Sequence, residues 1–157
     1  MSNEDIVRRY CRAVATQDVA QAESLRHPQW TCAWPQSGER VTSSEAFRSI
    51  VESYPGGAWE AIERRLTGAG DEVSVTPLGQ LVRVAGTGDT WTAEWTNRYP
   101  DGSEWLVVSI IELKDGRVIR ETTYWAPPFE APAWRRPWVQ VDHGSRHPDD
   151  PLRDRIG

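Results

Sequence analysis

Residues 110–125 read IIELKDGRVIRETTYW, and this stretch decides the fold. Both halves are rich in β-branched and apolar side chains, and Asp115-Gly116 between them is a dipeptide that favours a tight hairpin turn. The pattern predicts antiparallel strands over residues 104–114 and 117–126. Because the first of these strands is apolar on both faces, we expect it to lie near the centre of a sheet.

In the chain upstream of this hairpin, the character of the side chains alternates from one residue to the next, as it does in β-strands. In the run that ends at Tyr99, the side chains of Trp91, Trp95 and Asn97 fall on one face and threonines on the other. Glycine, aspartate and proline separate such runs from one another. The pattern predicts a series of strands at 58–67, 72–76, 79–86 and 90–99.

The N-terminal third follows a helical period instead. Apolar residues spaced three and four apart predict an amphipathic helix over 3–17, and Asp18 is the predicted N-cap of a short helix behind it. A strand over 29–34 follows. The capping box that joins Thr42 to Glu45 then predicts a third helix. Helices first and strands afterwards indicate an α+β fold.

Composition excludes several classes of protein. Of the 157 residues, 38% are hydrophobic and 9 are Trp, which is enough to build a packed core. The formal net charge of −5 argues against a nucleic-acid partner. With no apolar run of membrane-spanning length and no signal-peptide pattern, we expect a cytoplasmic protein without a membrane partner. Cys11 and Cys32 are too few for a Cys-rich metal site, and neither a metal nor a cofactor is predicted.

The tail differs from the rest of the chain. It carries 6 of the 11 prolines, so we expect one domain over residues 1–126 and an irregular tail over 127–157. The first part of the tail has enough aromatic side chains to pack, and the last part is polar and expected to be mobile. The segment from Trp134 to Trp138 could lid a cavity, lie across a partner chain, or simply be packed.

Three segments resemble a known family. They read IVRRYCRAVATQD (6–18), HPQWTCAWPQSGERVTSSEAFRSI (27–50) and IIELKDGRVIRETTYW (110–125). In this order and spacing they resemble the SnoaL-like branch of the nuclear transport factor 2-like superfamily, over roughly residues 3–126. The resemblance implies N-terminal helices packed in a strongly curved, mostly antiparallel sheet that forms a cone with an internal cavity. It also implies a homodimer through the sheet face.

Members of this superfamily include isomerases, dehydratases and polyketide cyclases alongside many non-enzymes, so the fold alone does not identify a reaction. Ketosteroid isomerases use a Tyr on the first helix, an acidic residue on a late strand, and a carboxylate base on the first strand. The resemblance places Tyr10, Ser109 and Trp34 at these positions. Because an indole N–H only donates hydrogen bonds, Trp34 cannot act as the base, and a copy of that mechanism is not expected.

The resemblance and the alternation together predict a cavity lined by aromatic and polar side chains. The candidate catalytic residues are Tyr10, Ser109 and Glu121. Among them Glu121 is the best candidate for an acid or base, and the alternative for it is a surface carboxylate paired with Arg83 or Arg98. The candidate ligand-binding residues are Trp30, Cys32, Trp34, Trp95, Asn97, Thr123 and Trp125.

The predicted function is binding of a small, largely apolar or aromatic organic molecule in this cavity. Isomerase, dehydratase or cyclase activity by acid–base chemistry is one reading of the same residues. The alternative is a non-catalytic dimeric module whose cavity is filled by its own side chains and whose sheet face contacts a partner. An open cavity with a buried titratable group favours the first, and a filled cone with a large exposed apolar patch favours the second.

Overall fold

A computed structural model describes residues 1–56 and 79–140, without the side chains of residues 79–83. The strands predicted at 58–67 and 72–76 lie outside the described residues, as does the end of the tail. The chain divides into two compact units, Met1–Pro127 and Pro128–Gly157.

Two helices open the first unit. Helix α1 spans Asn3–Ala15 and begins at a capping box in which Ser2 and Asp5 exchange hydrogen bonds. Its apolar stripe is buried, as its spacing predicts. Helix α2 spans Val19–Leu25 and begins at Asp18, whose carboxylate accepts from the backbone amide of Gln21 at 2.9 Å.

Helix α3 spans Ser44–Glu52, and its N-cap is Ser43. The Ser43 hydroxyl accepts from the backbone amide of Ala46 at 3.1 Å. The predicted capping box beginning at Thr42 is therefore wrong by one residue. Because Ser43 still has an extended backbone, with φ −153° and ψ 155°, the helix starts one position later than the sequence pattern indicates.

Six described strands form one sheet in the order β2-β1-β6-β5-β4-β3. All neighbouring strands pair antiparallel except β1 and β6, which are parallel. N-terminal helices with a mostly antiparallel sheet are the α+β architecture expected of the cone fold. The strands are β1 (Arg26–Trp34), β2 (Glu39–Val41), β3 (Gly79–Thr87), β4 (Thr90–Arg98), β5 (Glu104–Lys114) and β6 (Arg117–Ala126).

Strand alternation sorts the residues of β4, β5 and β6 between two faces. The inner face is buried and carries Trp95, Ser109 and Glu121. On the outer face Leu106, Val108 and Tyr124 are 42%, 39% and 43% exposed. Strand β5 is thus apolar on both faces and lies near the middle of the sheet, as predicted, but only its inner face is covered within the described chain.

The described part of the second unit contains a 3-10 helix over Ala133–Trp138. Phe129, Trp134 and Trp138 have mostly exposed side chains. Within the described residues, none of the helices combines the length and the apolar character that a membrane span requires.

Candidate functional site

The first unit encloses a cavity of about 240 Å³ between the helices and the inner face of the sheet. For scale, a cavity of about 150 Å³ is enough to hold benzene. Eight of the ten residues predicted for the site line it. They are Cys32, Trp34, Trp95, Asn97, Ser109, Glu121, Thr123 and Trp125.

Tyr10 and Trp30, the other two predicted site residues, are not among the lining residues. Both are fully buried in the core. Trp30 packs edge-on against Phe47, with ring centroids 5.8 Å apart, and its indole nitrogen has no hydrogen-bond partner. The alternation of β1 holds here, since Trp30 and Cys32 are both buried, but the Trp30 ring is enclosed in the core against Phe47 and does not reach the cavity surface.

Two aromatic pairs line the cavity. Trp34 and Trp125 meet edge to face, with ring centroids 5.3 Å apart. The side chain of Gln36 fixes this pair, because it bonds both the backbone amide (2.6 Å) and the carbonyl of Trp125. Tyr54 and Tyr99 stack with centroids 5.7 Å apart. Such rings give a ligand large apolar contact surfaces.

Glu121 is the one charged side chain among the described lining residues. It is buried, and its two carboxylate oxygens have different partners. Oε2 accepts from the Tyr10 hydroxyl at 2.8 Å, and Oε1 accepts from the Thr123 hydroxyl at 3.3 Å. The single long bond to Oε1 leaves it lone pairs for a further donor, since each carboxylate oxygen accepts two hydrogen bonds.

Arg26 lies behind this carboxylate and is also buried. Its Nε and Nη2 donate to the Tyr10 hydroxyl at 3.2 and 3.1 Å. The guanidinium stacks over the rings of Trp30 and Phe47, 3.7 and 4.6 Å from their centroids. Tyr10 therefore links a buried cation to a buried anion, and each charge lowers the cost of burying the other.

A second hydrogen-bonded series reaches Glu121 from the sheet. The Trp95 indole donates to the Ser109 hydroxyl at 3.2 Å, and Ser109 and Thr123 are 3.0 Å apart. Because the Thr123 proton goes to Glu121, Ser109 must be the donor in that pair. The two series thus converge, Arg26 and Tyr10 from one side and Trp95, Ser109 and Thr123 from the other.

This directionality limits what the site can do. The protons of Tyr10, Ser109 and Thr123 are all committed within the protein, so none of these hydroxyls is left to stabilise an oxyanion on a ligand. Both series of hydrogen bonds end at the Glu121 carboxylate, which is the hydrogen-bond acceptor that they leave available to the cavity. Tyr10 and Ser109 consequently position Glu121, whereas the sequence suggests that they act on a substrate directly.

Burial also keeps the other titratable groups of the site neutral. Desolvation, followed by the negative charge of Glu121, raises the pKa of the Tyr10 hydroxyl well above its usual range. The same two causes raise the pKa of the Cys32 thiol. A thiol with a raised pKa is a poor nucleophile, so Cys32 serves the cavity as a small apolar surface.

Arg26 and Gln17 are two of the residues at the site that the sequence reasoning misses. Arg26 belongs to β1, which starts three residues before the predicted strand. The sequence pattern therefore assigns Arg26 to the connection between helix α2 and that strand. Gln17 lines the cavity from the turn after α1. One sequence signal could have drawn attention to Gln17: it stands where helix α1 ends, at a position that glycine usually occupies. Within the described ranges, no three His, Cys, Asp or Glu side chains are grouped to hold a metal ion.

Comparisons with known proteins agree with this architecture. A family model described as a SnoaL-like domain matches residues 7–121. A structure from Burkholderia xenovorans LB400, described as an NTF-2 like protein of unknown function, is 28% identical with a TM-score of 0.66, covering 90% of this chain and 95% of its own. One from Kribbella flavida DSM 17836, described as a "putative ketosteroid isomerase", is 18% identical with a TM-score of 0.69, covering 90% of both chains. None of the curated proteins compared with the chain matches it.

Proposed function

The chain belongs to the SnoaL-like domain family, and on that basis we propose that its cavity binds a small, largely apolar organic molecule. The observation that carries the proposal is the buried carboxylate of Glu121, which the described lining residues surround with aromatic, aliphatic and neutral polar side chains. This composition is typical of sites that hold an apolar body and orient it through a few polar groups. The open volume of about 240 Å³ favours ligand binding over a cavity filled by its own side chains.

The volume of the cavity and the direction of its hydrogen bonds together restrict the class of molecule that can bind. Compared with the benzene-sized cavity of about 150 Å³, the space here suits one ring with a few further heavy atoms. The free lone pairs of Glu121 select a hydrogen-bond donor, such as a hydroxyl group. The ligand class is therefore a monocyclic apolar molecule that carries a donor.

Among the described lining residues, Glu121 is also the group whose side chain can act as a base. In an isomerase, dehydratase or cyclase reaction it would act as the general base, with Tyr10 and Thr123 holding its oxygens in place. The base would then act from β6, whereas the base position of ketosteroid isomerases corresponds to Trp34 on β1. The Kribbella flavida relative shares the fold, and its described activity need not extend to this chain.

We further propose that two copies pair through the outer face of the sheet, as the family resemblance implies. The half-exposed side chains of Leu106, Val108 and Tyr124 support this proposal. Val108 and Tyr124 are opposite each other in the β5–β6 register, so the three side chains form one apolar patch. A second copy burying this patch would shield it from water.

The test of ligand binding is a fluorescence titration with 4-ethylphenol, exciting the indoles selectively. Saturable quenching in the wild-type protein that weakens in Trp34→Phe supports binding in the cavity, because Trp34 lines it. Trp91→Phe is the matched control, since Trp91 belongs to the same unit as Trp34 but is not among the residues that line the cavity. An unsaturable response, or equal quenching in both variants, would reject the site.

A further inference from the structure

Gln17 ends helix α1 in a backbone conformation that ordinarily selects glycine. Its φ is +58°. The Gln17 amide donates to the Val14 carbonyl at 3.1 Å, and the Asp18 amide donates to the Ala13 carbonyl at 2.8 Å. These two bonds form a Schellman motif, in which the left-handed position is usually glycine because a Cβ there crowds the backbone. A glutamine at this position therefore costs stability that a glycine would not.

The side chain of Gln17 carries a second unfavourable feature. It lines the cavity, and its Nε2 is buried without a hydrogen-bond partner in the described structure. A buried donor without a partner loses the hydrogen bonds that water supplies in the unfolded chain. Backbone strain and an unsatisfied donor thus coincide in one side chain at the cavity wall.

Such a combination persists when the side chain has a use that outweighs its cost. The hydroxyl protons of Tyr10, Ser109 and Thr123 and the indole proton of Trp95 are committed within the protein. The Asn97 amide donates one of its protons to the Tyr99 hydroxyl at 3.1 Å. The Gln17 amide nitrogen, in contrast, has no partner in the described structure, and the side chain that carries it belongs to the cavity wall. A ligand oxygen is the partner that would satisfy it.

We propose that the Gln17 amide donates a hydrogen bond to an acceptor oxygen of the bound molecule. This inference rests on the ligand-binding function proposed above and adds a second polar requirement to it. The ligand class becomes a neutral one-ring molecule with a donor for Glu121 and a carbonyl, ether or hydroxyl oxygen for Gln17. The site would recognise it through complementary groups on α1 and β6.

The test compares acetophenone with ethylbenzene by isothermal titration calorimetry. The two probes are close in size and differ in one carbonyl oxygen. We expect the wild-type protein to bind acetophenone about five-fold more tightly, the ratio that a typical net hydrogen bond gives. Gln17→Leu keeps the bulk of the side chain and removes its amide, so the preference should disappear.

The variant Gln17→Gly distinguishes an effect on ligand recognition from an effect on stability. Relief of the left-handed strain should raise the melting temperature by about 2–4 °C while the preference for acetophenone is lost. Asp115→Gly is the matched control. Asp115 also has a left-handed backbone, with φ +51°, but it lies in the β5–β6 turn and does not line the cavity. This variant should keep the preference.

The outcomes distinguish this inference from the function on which it rests. Equal binding of the two probes by the wild-type protein, or a preference that survives in Gln17→Leu and Gln17→Gly, overturns the role of Gln17 and leaves the cavity as a binding site. A wild-type protein that binds neither acetophenone, ethylbenzene nor 4-ethylphenol overturns both proposals.

Discussion

The Tyr10 hydroxyl donates to Glu121 Oε2 at 2.8 Å and thereby joins helix α1 to strand β6, 111 residues further along the chain. The same hydroxyl accepts two bonds from the buried Arg26 guanidinium. Its one proton is therefore directed at Glu121 and cannot serve a ligand. This relationship makes Tyr10 a positioning residue and Glu121 the group that meets the cavity.

Removing the Tyr10 hydroxyl should destabilise the protein. In Tyr10→Phe, Glu121 loses its closest donor and Arg26 loses the acceptor of two of its hydrogen bonds, both in the core. We expect the free energy of unfolding to fall by about 2 kcal/mol, as for hydrogen bonds to charged groups. Urea denaturation measures this change. In the control Tyr124→Phe, on the outer sheet face, a shift within about 0.5 kcal/mol is expected. Equal stability of the two variants would contradict the linking role.

Arg26 and Glu121 should be energetically coupled although Tyr10 lies between them. Arg26→Met leaves a buried carboxylate without its compensating cation, and we expect a loss of about 3 kcal/mol. Once Glu121 is replaced by Gln, the same change should cost at least about 1 kcal/mol less. A double-mutant cycle by urea denaturation gives the coupling energy. Strictly additive losses would show that the two charges do not compensate each other.

The periodic elements around this site could be predicted from sequence. The alternation in β4, β5 and β6 sorts the side chains of each strand onto two faces, and the family resemblance suggests which of these faces is the inner one. In the structure Trp95, Ser109 and Glu121 are buried on that inner face. These predictions succeed because a period of 3.6 or 2 reports directly which side chains share a face.

The irregular positions could not be predicted in this way. Arg26 comes before the register shift in β1, and Gln17 occupies a helix-terminal turn, so neither belongs to a periodic run. The direction of the hydrogen bonds also lies outside sequence patterns. Tyr10 falls on the right stripe of α1, but that it serves Glu121 depends on where Arg26 lies.

Alkaline pH should destabilise the folded protein. Burial raises the pKa values of Tyr10, Cys11 and Cys32 in the folded state, while in the unfolded chain they are about 10 for Tyr and about 8.5 for Cys. Above these values the unfolded chain releases protons that the folded protein retains, so the free energy of unfolding falls as pH rises. Below about pH 8.5 this contribution is fully present.

Above about pH 8.5, each thiol should make the free energy of unfolding fall more steeply, by at most about 1.4 kcal/mol per pH unit. Urea denaturation between pH 7 and 11 measures it. The variant with Cys11→Ala and Cys32→Ala should show a shallower slope between about pH 8.5 and 10, where the tyrosine contributes little. Identical slopes in the two proteins would show that the thiols ionise equally in both states.

A charge on the outer face of the sheet should separate the proposed dimer. Val108→Glu places a carboxylate in the patch formed with Leu106 and Tyr124, and burying it against a second copy would be unfavourable. We expect sedimentation velocity to show a dimer for the wild-type protein and a monomer for this variant. Ala20→Glu, on the exposed face of helix α2, is the control and should remain dimeric. A monomeric wild-type protein would reject the sheet-face interface.

The most direct test of the central claim measures whether Glu121 selects a hydrogen-bond donor. Calorimetric titrations of 4-ethylphenol and ethylbenzene, into the wild-type protein and Glu121→Gln, compare two ligands that differ by one hydroxyl. We predict that the wild-type protein binds 4-ethylphenol at least about ten-fold more tightly, as for a charge-assisted hydrogen bond, and that Glu121→Gln removes most of this preference without weakening ethylbenzene binding. Equal affinity for the two ligands in the wild-type protein, or a preference unchanged in Glu121→Gln, would contradict the claim.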